Sequence, residues 1–231
     1  GEGINVNVMV KPGASPATYE PKAEQLAALS RSAAYFSIGV PFENVWLDKI
    51  AEANPEMRIV DTADGIERVP IEAHSHEADA DEDHDEDDDH EHAGGAPDPH
   101  IWLSPSLVKV QARTIADALI ELDPDQREAY EANLDAFVAD IEDLQTSIEE
   151  TLHGVESRKF LVFHPSWGYF AEDFGLEQIA IEVGGQEPSA KELAALIALA
   201  TEEEIQVVFA QPEFSAEDAS TIAEEIGGEV I

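Results

Sequence analysis

The chain of 231 residues contains no cysteine, and this absence limits both its covalent and its metal chemistry. No disulfide can form, no thiolate can act as a nucleophile, and any bound metal must have nitrogen and oxygen ligands. The sequence also lacks an HExxH zinc-hydrolase motif, a GxSxG nucleophile motif and a glycine-rich phosphate loop. These absences argue against the common hydrolase and nucleotide-binding classes.

Basic residues are scarce: 12 lysines and arginines stand against 51 acidic residues, which gives a formal net charge of −39. Such a charge argues against nucleic acid and anionic membranes as partners. The acidic residues are spread over predicted helices as well as loops. We therefore interpret the composition as adaptation to high salt, which screens charge repulsion. An ordinary acidic extracellular protein is the alternative interpretation.

The sequence has no apolar run long enough for a membrane-spanning helix and no recognisable signal peptide. It begins almost directly with the strand-like segment 4–10 and stops on the strand-like segment 229–231. We expect the chain to be a piece of a longer protein.

The sequence alternates strand-like and helix-like segments. Predicted strands lie at 4–10, 34–38, 58–60, 159–163, 178–181, 206–210 and 229–231. Predicted helices lie at 21–30, 42–53, 105–122, 166–174, 189–203 and 216–226, with Ser104, Ser166 and Ser189 as helix caps. This order predicts an α/β fold class with parallel sheets flanked by helices.

One longer segment, 123–154, is predicted to form a single helix of roughly 45 Å. Asp123 and Pro124 suit its start, and His153 with Gly154 suits its end. Its apolar residues recur at steps of three and four and predict one buried face: Tyr130, Leu134, Phe137, Ile141, Leu144, Ile148 and Leu152. We expect two α/β lobes, 1–122 and 155–231, joined by this rigid helix.

The segment 72–92 contains twelve acidic residues and five histidines but no large apolar side chain. Together with its flank to residue 96, it is predicted to be a disordered loop. Acidity alone does not explain the histidines, so we expect weak capture of a divalent metal, with a solubilising charge run as the alternative. These candidate accessory ligands are His74, His76, His84, His90 and His92.

Two histidines outside this loop are candidates for a metal site. His164 directly follows the strand 159–163, at the end of a parallel strand where ligands bind. His100 lies in a turn beside prolines, downstream of the last strand of the first lobe. Each lobe would thus supply one imidazole to a site between the lobes. Two histidines 64 positions apart form no metal motif, so spacing alone favours two unrelated side chains.

Three stretches together resemble the zinc/manganese solute-binding proteins of ABC transporters, the metal-binding cluster A-I type. They are PGASP at 12–16 followed by YEP at 19–21, DPHIWLSP at 98–105, and FHPSWGYF at 163–170. The acidic histidine-rich loop before DPHIWLSP also matches, and the resemblance covers essentially the whole chain. It implies two α/β lobes on one long rigid backbone helix. It also implies a metal ion that is held in the interlobe cleft and passed to an ABC permease.

The resemblance implies that His100 and His164 are metal ligands. The family usually has a histidine at the position of Ala17, and its aspartate ligand would follow Ile231. This chain therefore contains two of the usual four ligands. The candidates to replace the missing histidine are Tyr19, Glu20 and a loop histidine.

The resemblance implies Zn²⁺ as the bound metal, because the histidine-rich loop accompanies zinc among relatives. Mn²⁺ or iron is the alternative, because the change at Ala17 leaves a site richer in oxygen. A surface metal buffer or adhesin that depends on the loop is a second candidate class of function. A zinc-dependent hydrolase is a third, but it would need a placed general base. We expect a monomeric binding protein in the periplasm or at the cell surface, with lipid anchoring left open, and no enzymatic activity.

Overall fold

The computed structural model of the chain describes residues 3–16, 18–71, 96–182, 186, 188–211 and 217–231. The chain forms two compact units. Unit 1 comprises Gly1–Glu67 and Ser104–Thr151, and unit 2 comprises Arg68–Leu103 and Leu152–Ile231. This division differs from the predicted one, because residues 68–103 belong with the C-terminal part of the chain. The parallel sheets flanked by helices confirm the predicted α/β class.

Unit 1 begins with alternating helices and strands, α1 (Ala23–Leu29), β1 (Ala34–Ser37), α2 (Pro41–Ala53) and β2 (Arg58–Asp61). The strands β1 and β2 pair in parallel. A small core forms where both helices cover this pair, and it consists of Leu29, Tyr35, Ile50 and Met57. The predicted alternation over residues 21–60 is therefore confirmed.

The predicted strand at 4–10 is wrong. Residues 4–8 form neither strand nor helix, and Val6 is 76% exposed. Alternating apolar residues become a strand only when a neighbouring strand pairs with them, and β1 and β2 are the strands of unit 1 within the described residues. The segment is held by a side chain instead, since the Gln25 amide Nε2 donates to the Met9 carbonyl at 2.5 Å.

Unit 1 also contains the two longest helices, α3 (Pro105–Leu122) and α4 (Arg127–Leu152). A 3-10 turn at Pro124–Gln126 precedes α4, so the predicted single helix starts later than expected. Asp123 donates its backbone N–H to Leu119 and ends α3, and its side chain caps nothing.

The predicted buried face of α4 is wrong over most of its length, because Leu134 is the only buried residue in this fully described helix. Leu144, for example, is 50% exposed. A periodic apolar face favours a helix, but burial additionally requires a neighbouring element alongside it.

Unit 2 is built on a four-stranded parallel sheet in the order β4-β3-β5-β6. Its elements are β3 (Lys159–Val162), α5 (Gly168–Phe174), β4 (Glu177–Ala180), α6 (Ala190–Glu202), β5 (Val207–Phe209), α7 (Glu217–Ile226) and β6 (Glu229–Val230). Leu161, Ile179 and Val208 pack against Leu196 and Ile222 in the core. Each such side chain contributes about 1.5–3 kcal/mol when fully buried.

The turn between α7 and β6 requires Gly228. A Cβ atom at this position would lie 2.2 Å from the carbonyl oxygen of Gln206. Any side chain there would push the turn away from the sheet, so only glycine permits this close approach.

The chain on either side of residues 72–95 is paired within unit 2. Ile71 donates its backbone N–H to Ala96 at 3.0 Å, and Asp98 donates to Val69 at 2.8 Å. A 3-10 helix follows at Ile101–Leu103, in which Ile101 is fully buried. The predicted loop and its five histidines lie outside the described residues. Over the described part of the chain, no helix is both long and apolar enough to cross a membrane.

Candidate metal centre

His100 and His164 lie together in unit 2, with ring centroids 5.1 Å apart. His164 follows the carboxyl end of β3, as predicted. His100 lies between the backbone pairing at residue 98 and the 3-10 helix. Both histidines thus fall in one compact unit, whereas one from each predicted lobe was expected. The reason is that the pairing of Asp98 with Val69, together with the burial of Ile101, attaches the His100 segment to unit 2.

A buried carboxylate orients His164. Its Nδ1 lies 2.6 Å from Oε1 of Glu182, which is 8% exposed. Because Val162 is paired with Ala180, His164 and Glu182 each lie two positions beyond the same register pair. The register of the two strands thus places these side chains side by side at the carboxyl edge of the sheet.

A second buried carboxylate orients His100. Its Nδ1 lies 2.5 Å from Oδ1 of Asp98, which is 2% exposed and also accepts the backbone N–H of His100 at 2.9 Å. One carboxylate oxygen thus holds both the ring and the backbone of His100. Metal-ligating histidines are commonly held in this way, since a carboxylate at Nδ1 directs Nε2 toward the metal and raises its basicity.

The sequence analysis missed both carboxylates. Asp98 stands within the DPHIWLSP stretch, so its proximity to His100 was a local signal that could have been used. Glu182 is 18 residues from His164 and becomes its neighbour only through the strand register.

Tyr169 at the start of α5 supports the Asp98 segment. Its hydroxyl donates to the Asp98 carbonyl at 3.0 Å and accepts the Val69 N–H at 3.2 Å. Burial raises the pKa of Tyr169, so the hydroxyl stays protonated and can make both bonds. Space beside the neighbouring Gly168 is tight, because a Cβ there would lie 3.1 Å from Nε2 of Gln178 and in ordinary contact, 3.5 Å, with Oδ2 of Asp98.

Trp102 packs edge-to-face against His100, with ring centroids 5.1 Å apart. The indole is 39% exposed, so it lies between the imidazole and solvent rather than in a core. Its fluorescence can therefore report changes at His100.

Two of the three predicted serine caps are confirmed. Ser104 Oγ accepts the N–H of Leu107, and Ser189 Oγ accepts the N–H of Glu192. Ser166 is not a cap: α5 begins at Gly168, and Ser166 Oγ accepts a hydrogen bond from Gln211 at 2.7 Å.

Within the described residues, no group of three or more histidine, aspartate or glutamate side chains is placed to hold a metal. The histidine pair offers two candidate nitrogen ligands, and zinc prefers four ligands in total. Of the predicted substitutes, Tyr19 donates its hydroxyl to Gln25 in unit 1. Ala17 and the loop histidines are outside the described residues.

The α/β fold with two carboxylate-oriented imidazoles at a sheet edge is typical of a protein that binds a transition metal. A model of the family described as "Zinc-uptake complex component A periplasmic" (ZnuA) matches residues 1–231, and the chain belongs to this family. The family consists of periplasmic metal-binding proteins for transport, not of enzymes.

A crystal structure of ZnuA is 47% identical with a TM-score of 0.85, and the match covers 98% of this chain and 81% of that one. The high-affinity zinc uptake system protein ZnuA of Bacillus subtilis is 37% identical over 134 residues. This alignment covers 57% of the present chain but only 42% of the Bacillus protein.

A putative metal-binding protein of Treponema pallidum is 30% identical over 234 residues, which is 100% of this chain and 72% of that protein. The manganese-binding lipoprotein MntA of Halalkalibacterium halodurans is 24% identical over 234 residues, with 100% and 71% covered. Relatives of this chain are thus named for zinc and for manganese.

Proposed function

We propose that this protein captures Zn²⁺ outside the cytoplasm and delivers it to the permease of an ABC transporter. Zinc is the cargo in this function and undergoes no chemistry. His100 and His164 would bind it through Nε2, while Asp98 and Glu182 hold their rings.

The observation that carries this proposal is the convergence of two carboxylate-oriented imidazoles with ring centroids 5.1 Å apart. Burying a carboxylate is costly unless it is paired. Two buried carboxylates, each paired with an imidazole Nδ1, are therefore not expected beside two unrelated histidines. The family membership and the names of the zinc-uptake relatives support the same cargo.

Zinc is favoured over manganese because imidazole suits zinc, whereas manganese prefers carboxylate, carbonyl and water ligands. The manganese-binding relative supports Mn²⁺ as the second candidate. A site that binds Mn²⁺ as tightly as Zn²⁺ would need more oxygen ligands than the histidine pair provides.

The test is a competitive titration of the full-length protein with Zn²⁺ and Mn²⁺ at high salt, with a chelator setting the free metal. We expect one tight zinc site with much weaker manganese binding. His100→Ala and His164→Ala should each weaken tight zinc binding by orders of magnitude. His153→Ala is the matched control, because His153 is an exposed histidine just beyond the end of α4. An unchanged dissociation constant in the His100 or His164 variant would refute the site.

Deletion of residues 72–92 separates the tight site from the histidine-rich loop. The loop is proposed to raise the local metal concentration, so its deletion should remove weak sites and leave the tight one. Loss of the tight site on deletion would instead favour a metal buffer that depends on the loop.

High-salt adaptation belongs to this proposal and is supported by the net charge of −39. A lipid anchor is likewise proposed, on the support that the manganese-binding relative is named a lipoprotein. Mass spectrometry of protein isolated from membranes would test the anchor, and an unmodified N-terminus would contradict it.

A further inference from the structure

Gln211 has a buried side-chain oxygen atom that the arrangement of the two histidines does not explain. Its Nε2 donates to Ser166 Oγ at 2.7 Å. Its Oε1 is buried and accepts no hydrogen bond from any residue that the structure describes. Leaving a buried carbonyl without a partner is destabilising, because the oxygen has lost its hydrogen bonds to water. Native proteins rarely retain such an atom unless an ion or water satisfies it.

The strand register places Gln211 beside His164. In the sheet Val162 of β3 pairs with Ala180 on one side and with Phe209 of β5 on the other. Two positions beyond the ends of these strands stand Glu182, His164 and Gln211, following the spatial order β4-β3-β5. Residues in the same register of a parallel sheet project to the same side. Gln211 therefore flanks His164 opposite to the carboxylate that orients it.

The contact with Ser166 fixes the amide over the turn that carries His164. Ser166 is 2% exposed, and its backbone N–H donates to the His164 carbonyl at 2.8 Å. The amide nitrogen is thus tied to this turn, while the amide oxygen is left for another partner.

We propose that Oε1 of Gln211 is an oxygen ligand of the metal ion bound by His100 and His164. This inference rests on the proposed function and extends its ligand set. An amide carbonyl is an established metal ligand and carries no charge. It brings the set to two nitrogens and one oxygen, one short of the four ligands that zinc prefers. The two imidazoles still favour zinc, while the added carbonyl oxygen is a ligand type that also suits manganese.

The test compares Zn²⁺, Co²⁺ and Mn²⁺ binding by the full-length protein and three variants, Gln211→Leu, Gln211→Glu and Ser166→Ala. We expect Gln211→Leu to weaken zinc binding about 10–100-fold, the range seen when a supporting metal-site group is lost. The visible spectrum of bound Co²⁺ should change as well, because it reports the ligand set. Gln211→Glu should retain zinc and raise the affinity for Mn²⁺ relative to Zn²⁺. Ser166→Ala should have a smaller effect and leave the Co²⁺ spectrum unchanged.

The outcomes separate this inference from the proposed function. If Gln211→Leu leaves the Co²⁺ spectrum unchanged, or if Ser166→Ala reproduces its whole effect, Gln211 is not a ligand. When Gln211 is excluded in this way, the His164→Ala variant tests the proposed function separately. Loss of tight zinc binding in His164→Ala would leave the proposed function standing. Retention of tight zinc binding would contradict it as well. Should metal-free Gln211→Leu be unfolded, Gln211→Glu decides, because an unchanged Zn²⁺/Mn²⁺ ratio would overturn the assignment.

Discussion

At the scale of single residues, the site depends on polar groups that are buried only because they are paired. Asp98 and Glu182 are almost inaccessible to solvent, and each accepts from an imidazole Nδ1. An unpaired buried carboxylate would be costly, so each pair stabilises the orientation of its ring even before metal binds.

Asp98→Asn and Glu182→Gln should each weaken zinc binding about 10–100-fold, because outer carboxylates orient metal-ligating histidines and raise their basicity. The measurement is the zinc dissociation constant by chelator competition. Asp117→Asn, on the exposed side of α3, is the matched control. Wild-type affinity in both site variants would show that the imidazoles need no orienting carboxylate.

Glu43 is the corresponding buried carboxylate of unit 1. Its Oε2 accepts the backbone N–H groups of Ile38, Gly39 and Val40 at 2.6–3.2 Å, and its Oε1 accepts the Tyr35 hydroxyl at 2.7 Å. Burial, with the Glu43 contact second, raises the pKa of Tyr35 and keeps this donor protonated. The carboxylate thereby closes the turn after β1.

Glu43→Ala should lower the free energy of unfolding by at least about 3 kcal/mol, because it leaves several buried donors without an acceptor. Tyr35→Phe removes one hydrogen bond and should cost only about 1–2 kcal/mol. Urea unfolding of the metal-free protein measures both. A cost for Glu43→Ala no greater than that for Tyr35→Phe would contradict the role of the three backbone contacts.

At the scale of elements, α5 connects the sheet to the base of the histidine-rich segment. Tyr169, in the first turn of α5, bonds both Val69 and Asp98, which lie on the two sides of residues 72–95. One hydroxyl thus holds together the base of that segment and the residue that orients His100.

Tyr169→Phe should lower the free energy of unfolding by about 1–3 kcal/mol, because it leaves the buried Asp98 carbonyl and the partly buried Val69 N–H each short of a partner. The Val69 amide should exchange with solvent faster, and zinc binding should weaken several-fold as Asp98 loses its tether. Hydrogen exchange and metal titration are the measurements, with Tyr130→Phe in α4 as control. Unchanged exchange at Val69 would refute the tether.

At the scale of the whole molecule, the negative net charge is the main factor in how stability depends on salt. The formal charge of −39 repels itself in the compact state, and molar salt shortens the screening length to about 3 Å. We expect the melting temperature to rise steeply from low to molar sodium chloride. Sucrose at equal osmolality should not reproduce the full rise. A melting temperature independent of salt would exclude the proposed high-salt adaptation.

Most of the helices and strands could be predicted from the amino-acid sequence. Boundaries such as those of α3 and α6 were predicted to within about a residue, because Ser104 and Ser189 mark helix starts through local backbone bonds. Both histidines were candidates from the chain alone, and the family resemblance was needed to predict them as metal ligands. Caps, turns and apolar periodicity are short-range effects, so the sequence contains them directly.

The surroundings of those histidines depend on tertiary contacts and could not be predicted. The segment 4–10 has strand periodicity but no partner strand, and the apolar face of α4 is periodic but mostly exposed. Glu182 and Gln211 become neighbours of His164 through the register of three parallel strands, and His100 joins unit 2 through the pairing of Val69 with Asp98. Such contacts join residues tens of positions apart, and they stabilise the fold only when the sheet has formed.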